Sequence, residues 1–139
     1  MDMSTDDIPV TNAVRFLREK KIDFEARLYT YEEKGGTSVS SRELGVDEHR
    51  VIKTLIMEDD SKKPMIVLMH GDRTVSTKNL ARELGVKSVR PCEPETANRH
   101  TGYVVGGTSP FATRKEMPLI MQKTIADLDY ILINGGKRG

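Results

Sequence analysis

A chain of 139 residues has the usual length of one domain, which argues against separate catalytic and recognition modules. Its 22 lysines and arginines balance 21 acidic residues, and this balance excludes a broad duplex-binding surface that works by charge alone. The single cysteine, Cys92, excludes an internal disulfide, and no apolar run approaches the roughly 20 residues that a membrane-spanning helix requires. These properties predict a soluble cytoplasmic protein without a membrane segment.

The polar, acidic start predicts a flexible lead-in over residues 1–9, and the rest of the chain, 10–139, is predicted to form one domain. Thr11 has the position of an N-cap. Apolar residues then recur at the spacing of one helix face, at Val14 and Leu17. The domain is therefore predicted to open with a short helix that ends near residue 21.

A strand is predicted next, because apolar and polar residues alternate over Phe24–Leu28. The two glycines within Glu32–Thr37 predict a loop. Ser40 and Glu43 have the spacing of a capping box, which predicts the start of a short helix, and Gly45 is placed to end it.

Two strands are predicted in the middle of the chain, over the largely apolar segments Val51–Met57 and Met65–Met69. An acidic turn that begins at Asp59 separates them. Thr77 is predicted to cap a helix that stops at Gly85.

The last third of the chain predicts short elements between loops. Residues Pro91–Gly102 suggest loop and one short helix, and Tyr103–Val105 is an apolar segment of strand character. Strands are predicted at Met117–Met121 and Tyr130–Ile133, on either side of a helical turn at Ala126–Leu128. Short strands interleaved with short helices indicate a mixed α+β domain.

No familiar hydrolytic apparatus is evident in the sequence. The three histidines, His49, His70 and His100, lack metal-ligand spacing, and Cys92 follows a proline in a predicted loop. Each of these side chains is interpreted as a surface or packing residue. Neither a metal nor a cofactor is predicted.

The first candidate functional residue is Lys53, which lies in the segment VIKTL. In a structural interpretation, a lysine between apolar neighbours extends its ammonium to water. In a functional interpretation, a partly desolvated ammonium donates hydrogen bonds to a phosphate, or to a carbonyl on which negative charge develops. The residue alone does not decide between them.

The second candidate is the segment TGYVVGGTSPF, residues 101–111. Without a Cβ, Gly106 and Gly107 can present backbone N–H groups to a ligand, while Ser109 and Pro110 stiffen the turn. This arrangement could form an oxyanion hole. Ordinary turns use the same residues, and the segment matches neither the dinucleotide nor the P-loop pattern.

The third candidate is the glycine-rich segment at residues 135–139. Gly135 and Gly136 follow a predicted strand and could bring backbone close to a ligand, with Lys137 and Arg138 near a phosphate. The alternative is a basic, frayed terminus. The joint occurrence of the three candidates in this order is more specific than any one of them.

Together these segments resemble the YbaK family, also called the prolyl-tRNA synthetase-associated editing domain. The matching stretches are LYTYE at 28–32, VIKTL at 51–55, TGYVVGGTSPF at 101–111, MPLIM at 117–121 and ILINGGKRG at 131–139. The resemblance implies a compact, barrel-like mixed sheet with surrounding helices and a pocket for the aminoacylated terminal adenosine. It also implies hydrolysis of mischarged tRNA, with cysteinyl or alanyl esters on proline tRNA as usual substrates and prolyl-tRNA synthetase as a possible partner.

The resemblance also assigns roles to individual residues. The family lysine that matches Lys53 is required for activity, and the backbone at Gly106 and Gly107 matches the position that holds the substrate carbonyl. Tyr31 and Thr54 match pocket positions. Substrate binding is further assigned to residues around the two glycine-rich segments, namely Thr101, Gly102, Ser109, Pro110, Gly135, Gly136 and Lys137.

Three departures from the family pattern stand out. Many relatives carry glycine at the position of Ala112, and the segment between Tyr31 and Leu44 is shorter than in cysteinyl-specific members. Relatives usually continue beyond GGKRG with another strand and helix, which leaves open a truncated chain or another element that closes the core.

The hypothesis is that the Gly106 and Gly107 amides polarise the ester carbonyl while Lys53 fixes the ester or the terminal phosphate. Water, or the thiol of a cysteinyl substrate, would then attack. Two alternatives stay open: a non-catalytic module that binds tRNA ends or a synthetase, and a Schiff-base enzyme that uses Lys53. The sequence predicts neither the amino acid that is removed nor the oligomeric state.

Overall fold

The computed structural model describes residues 9–139, so residues 1–8 of the predicted lead-in lie outside it. The elements are helices α1 (Asn12–Glu19), α2 (Gly36–Leu44), α3 (Thr77–Leu84) and α4 (Pro94–Thr101), and strands β1 (Val51–Asp59), β2 (Pro64–His70), β3 (Val89–Pro91), β4 (Leu119–Met121) and β5 (Leu132–Ile133). Two 3₁₀ helices span Glu48–Arg50 and Lys123–Asp127. The predicted mixed α+β class is confirmed.

Strand β1 is the centre of the sheet. It forms an antiparallel hairpin with β2, and β4 adds to β2 in parallel. The other edge of β1 is shared: β5 runs parallel to its first residues, where Ile52 pairs with Ile133, and β3 runs antiparallel to its end, where Met57 pairs with Pro91. The sheet of the described residues is therefore open rather than a closed barrel.

The acidic turn predicted between β1 and β2 is present and has a clear cause. One oxygen of the Asp59 carboxylate accepts hydrogen bonds from the backbone N–H groups of Ser61 and Lys63, at 2.8 and 2.9 Å. A side chain that bonds to the backbone two residues ahead stabilises a tight turn. This turn lies at the opposite end of the hairpin from Lys53.

Apolar side chains pack on both faces of β1, which explains why the strand reads as a nearly continuous apolar run. One cluster lies on the α4 side of the sheet and consists of Ile52, Ile56, Ile66, Leu68, Ala97 and Ile125. The other lies on the α3 side and consists of Met57, Met65, Val67, Ala81 and Val89. Both apolar clusters are thus built on the hairpin that carries Lys53.

Helix ends follow the sequence signals with two exceptions. The hydroxyl oxygen of Thr11 accepts from the Val14 amide at 3.0 Å, so α1 begins as predicted. Helix α3 is capped by Ser76 rather than by Thr77. The capping box predicted at Ser40 is wrong: α2 begins at Gly36, and the Ser40 hydroxyl donates to a backbone carbonyl inside the helix.

Two predicted strands are absent. Phe24–Leu28 and Tyr103–Val105 run outside the sheet, and Leu28, Val104 and Val105 are 47%, 50% and 45% exposed. The alternation in the first segment and the run of apolar residues in the second show only which side chains are apolar. A strand also needs a free sheet edge with which its backbone can pair. The short strand β3 was not predicted, because three residues that include an arginine and a proline carry little strand signal.

Within residues 9–139, no helix combines the length and the apolar character that a membrane span needs.

Candidate active site

Lys53 lies on β1 opposite Met69 of β2, and its ammonium donates a hydrogen bond to the backbone carbonyl of Arg73. It borders an open depression of about 570 Å³ on the surface. We call this the lysine depression; it is lined by Glu48, Lys53, Gly71, Asp72, Arg73 and Thr74. Both carboxylates and cations line it, so the depression offers hydrogen-bond donors and acceptors to a ligand.

The floor of the lysine depression depends on Gly71, which follows β2. Its amide donates to the Val51 carbonyl at 2.7 Å, and its carbonyl accepts from the Thr37 hydroxyl at 3.1 Å. The same hydroxyl lies 2.8 Å from a carboxylate oxygen of Glu48. A Cβ on Gly71 would lie 2.7 Å from the Thr37 oxygen, so glycine lets α2 pack directly against the strand end.

The glycine pair at Gly106 and Gly107 forms a turn in which the two amides differ. The Gly107 N–H donates to the Val104 carbonyl at 2.8 Å and is therefore already used. The Gly106 N–H has no protein acceptor in residues 9–139, and Gly106 has a φ of +92°, which favours glycine. Of the two amides predicted to face a ligand, one remains open.

The residues around this turn bond to one another. Thr101 is 2% exposed; its hydroxyl donates to Ala97 O at 2.9 Å and accepts from the Tyr103 amide at 3.1 Å. Gly102 ends α4 in the left-handed conformation, with φ +80°. Ser109 is fully buried and accepts from the next-but-one amide, and the adjacent Pro110 is buried as well. These predicted substrate-binding residues hold the loop in shape.

The C-terminal segment is tied to the same loop by Asn134. Its side-chain oxygen accepts from the Gly136 and Lys137 amides at 2.6 and 3.2 Å. Its side-chain nitrogen donates to the Gly106 carbonyl at 3.4 Å. A Cβ on Gly107 would lie only 2.7 Å from the backbone nitrogen of Arg138. Two glycine-rich backbones therefore meet in direct contact.

Tyr31 and Arg138 complete this contact region, which we call the glycine junction and define as Tyr31 with residues 103–111 and 134–139. The Arg138 side chain donates to the Val105 carbonyl at 2.9 Å, and its guanidinium lies 5.2 Å from the centre of the Tyr31 ring. A Cβ on Gly106 would lie 2.7 Å from the Tyr31 hydroxyl. The structure thus places Tyr31 directly against Gly106.

The relation between Lys53 and the glycine junction is set by β1 and β5. In their parallel register Ile52 pairs with Ile133, so the residues that directly follow these two are Lys53 and Asn134. Asn134 in turn bonds to Gly106. The ammonium of Lys53, however, bonds to Arg73, and neither glycine lines the lysine depression. The predicted residues therefore form two separate groups, one at the lysine depression and one at the glycine junction, and the pairing of β1 with β5 makes the groups neighbours.

Thr54 adds an unusual feature next to Lys53. Its hydroxyl oxygen is buried and has no hydrogen-bond partner among the described residues. Burying a hydroxyl without a hydrogen-bond partner destabilises a fold by on the order of 1–3 kcal/mol, so such groups are uncommon in protein structures.

Sequence reasoning missed Asn134 as the link between the two glycine-rich segments. The Asn-Gly pair after a strand was the available signal, because asparagine side chains commonly bond to backbone two residues ahead. Asp72 was missed for a different reason. Its partner, His49, is 23 residues away, and no local pattern connects them.

Comparison with known proteins places this arrangement in a family. A profile of the aminoacyl-tRNA editing domain matches residues 32–139, which include Lys53 and both glycine-rich segments. A relative from Enterococcus faecalis, EbsC, a candidate Cys-tRNA(Pro)/Cys-tRNA(Cys) deacylase, is 28% identical over 130 residues, or 93% of this chain and 79% of that protein.

Two further likenesses agree with this match. The proline–tRNA ligase of Ligilactobacillus salivarius is 35% identical over 86 residues, which are 62% of this chain but only 14% of the ligase. The fold resembles the crystal structure of a candidate trans-editing enzyme for prolyl-tRNA synthetase, with a TM-score of 0.79, 16% identity and coverage of 94% of this chain and 84% of that one. The chain belongs to the aminoacyl-tRNA editing domain family.

Proposed function

We propose that this protein hydrolyses the ester that joins a wrong amino acid to the 3′ end of a tRNA, with Cys-tRNA(Pro) as the first candidate substrate and Ala-tRNA(Pro) as the second. The observation that carries the proposal is the family match over residues 32–139 together with an accessible Lys53 ammonium inside that match. The named activity of EbsC supports the choice of a cysteinyl ester.

The proposed chemistry needs few groups, because an aminoacyl ester is already activated. An ammonium has three N–H donors, and the Arg73 carbonyl occupies one of those on Lys53. The others can bind the ester carbonyl or the terminal phosphate. One well-placed donor to a developing oxyanion contributes about 3 kcal/mol, or roughly a hundredfold in rate.

The glycine turn is proposed to supply the second contact. Because the Gly107 amide is used inside the turn, we assign the carbonyl contact to the Gly106 amide and a packing role to Gly107. Tyr31 would shield the ester from above Gly106. Substrate bound in this way would lie across the start of β1 and the end of β5, between the lysine depression and the glycine junction.

Recognition of the tRNA body is proposed to come partly from elsewhere. The formal net charge of +1 gives weak attraction to a phosphate backbone. A prolyl-tRNA synthetase that holds the mischarged tRNA would supply the missing affinity, in keeping with the likeness to a segment of proline–tRNA ligase.

The test is a deacylation assay with proline tRNA charged with cysteine, alanine or serine, and with Pro-tRNA(Pro) as the control. We expect the purified protein to release at least one wrong amino acid well above the enzyme-free rate and to leave the prolyl ester intact. Release of none of the three, at enzyme concentrations that bind the tRNA, would refute the proposed activity.

A non-catalytic module that binds tRNA ends is the second candidate. The engagement of the Gly107 amide favours it, since one open amide makes a weaker oxyanion hole than two. The same assay separates the candidates, because a binding module would slow the spontaneous loss of the amino acid instead of accelerating it.

A further inference from the structure

His49 and His70 form a stacked pair beside the lysine depression. Their ring centres are 3.7 Å apart and the ring planes differ by 7°. His70 ends β2 and is 1% exposed, whereas the His49 side chain is 32% exposed. One ring is therefore part of the interior and the other, lying on it, reaches solvent.

Hydrogen bonds fix the inner ring. The Nδ1 atom of His70 lies 2.7 Å from the His49 carbonyl, which can only accept, so Nδ1 carries a proton. Its Nε2 atom lies 2.7 Å from the Thr124 hydroxyl. Both nitrogens are satisfied, so the inner ring serves as a rigid platform for the outer one.

The outer ring is oriented by a carboxylate. Nδ1 of His49 lies 2.9 Å from an Asp72 carboxylate oxygen, which requires a proton on Nδ1. This hydrogen bond holds the pKa of the Asp72 carboxyl below its usual range. No protein group in residues 9–139 bonds to Nε2, so the neutral ring presents a free lone pair there.

The position of this pair relates it to Lys53. Asp72 and Glu48, which precedes His49 in the chain, both line the lysine depression. Charged residues on the neighbouring segments are Asp47, Glu48 and Arg50 next to His49 in the chain, Asp72 and Arg73 after β2, and Lys53 on β1. A free imidazole nitrogen opposite a carboxylate-bound one is the arrangement that general bases use.

We propose that His49, oriented by Asp72, is the general base of the hydrolysis, an inference that rests on the proposed function. Nε2 takes a proton from water as the water oxygen bonds to the ester carbonyl carbon. The imidazolium then returns that proton to the ribose oxygen as the ester C–O bond breaks. The products are the free amino acid and a tRNA with a terminal hydroxyl.

The decisive variant is His49→Asn, because the asparagine amide keeps a donor near the position of Nδ1 and lacks Nε2. His100→Asn, on α4, is the matched control. On the best substrate of the charged-tRNA panel, we expect H49N to lose about a hundredfold or more in rate, the usual contribution of a general base. H100N should keep the wild-type rate, and circular dichroism should show both variants folded.

A purely structural role for His49 predicts different results in two further measurements. The wild-type rate should fall at acidic pH with a limb that H49N lacks, after correction for the enzyme-free reaction. Nitrogen NMR should find the neutral His49 ring protonated on Nδ1.

The other possible results contradict the assignment of His49 as the general base. A wild-type enzyme that is active while H49N stays within about threefold of it overturns the assignment alone. An acid limb that persists in H49N, or a neutral ring protonated on Nε2, does the same. A wild-type protein inactive on every charged tRNA overturns the proposed function and the base assignment together.

Discussion

Lys53 of the lysine depression and the glycines of the glycine junction are predicted to belong to one site, yet the two regions use their polar groups in different ways. The Lys53 ammonium in the lysine depression, and the His49 ring beside it, keep N–H donors and a ring nitrogen that no described protein group uses. In the glycine junction, the Gly107 amide and the Gly106 carbonyl are bonded within the protein. Polar groups that can still bind a ligand are thus concentrated at the lysine depression. The glycine junction is dominated by close backbone packing.

This difference shows why glycine-rich segments are ambiguous in a sequence. A glycine makes room equally for a ligand or for another stretch of chain. At Gly107 the space is taken by the backbone of Arg138, and at Gly106 it is bounded by Tyr31. Four substitutions test whether the contrast between the two regions is real.

The largest effect is expected from Lys53→Ala, because it removes the ammonium that we propose binds the ester or the terminal phosphate. We expect deacylation to fall by about a hundredfold or more with little change in thermal stability. Lys63→Ala is the control, since Lys63 is exposed at the other end of the same hairpin. Turnover of K53A close to that of the wild type would remove Lys53 from the mechanism.

Gly107→Ala tests the packing region. Its Cβ would overlap the backbone of Lys137 and Arg138 at 2.7 Å, so we expect a loss of about 1–3 kcal/mol in unfolding free energy. Gly135→Ala is the control, because its Cβ would meet only a Val14 methyl at 4.0 Å. Chemical denaturation measures the unfolding free energy of both variants. Equal values would show that the C-terminal backbone is not packed tightly against Gly107.

Ala112→Gly tests strain at the end of the same loop. Ala112 has a φ of +53°, in the left-handed region that favours glycine. The strain relieved outweighs the extra freedom of the unfolded chain, so we expect a gain of about 0.5–1 kcal/mol. Ala126→Gly, in a 3₁₀ helix, should instead lose stability. A112G that destabilises as A126G does would contradict the strained conformation.

The smallest effect concerns pH and belongs to the lysine depression. Because the folded state lowers the pKa of Asp72, its carboxylate stabilises the fold above the pKa of the unfolded state. That stabilisation is lost as the pH falls through the lower, folded pKa. Melting temperatures of wild type and Asp72→Asn should differ slightly at neutral pH and converge in acid; a constant difference would mean that Asp72 acts without its charge.

The fold was predictable where one local signal decides the structure. The β1–β2 hairpin follows from two apolar runs and an acidic turn, and the glycines at the ends of α2 and α3 adopt the left-handed conformation. The segment Phe24–Leu28 shows the limit. Its alternation is that of a strand, but pairing depends on an open sheet edge, which belongs to the rest of the molecule.

The sequence patterns marked candidate residues but did not predict how those residues are arranged. Among the residues that they marked, Tyr31 and Gly106 lie side by side in the structure. The patterns could not reveal that the Gly107 amide donates to the Val104 carbonyl, because a hydrogen bond within a turn depends on the backbone angles. Nor could they connect His49 to Asp72, because the end of β2 brings that pair together only in the folded chain.

One hydroxyl near the start of the domain has a consequence for its motions. Thr11 accepts from the Val14 amide and donates to the carbonyl of Gly135, 124 residues away. Loosening of the first turn of α1 therefore also breaks a hydrogen bond that holds the C-terminal loop, and we expect the two segments to open together. In hydrogen–deuterium exchange, the amides of Val14 and Gly136 would exchange in step, so two distant peptides would report one breathing motion.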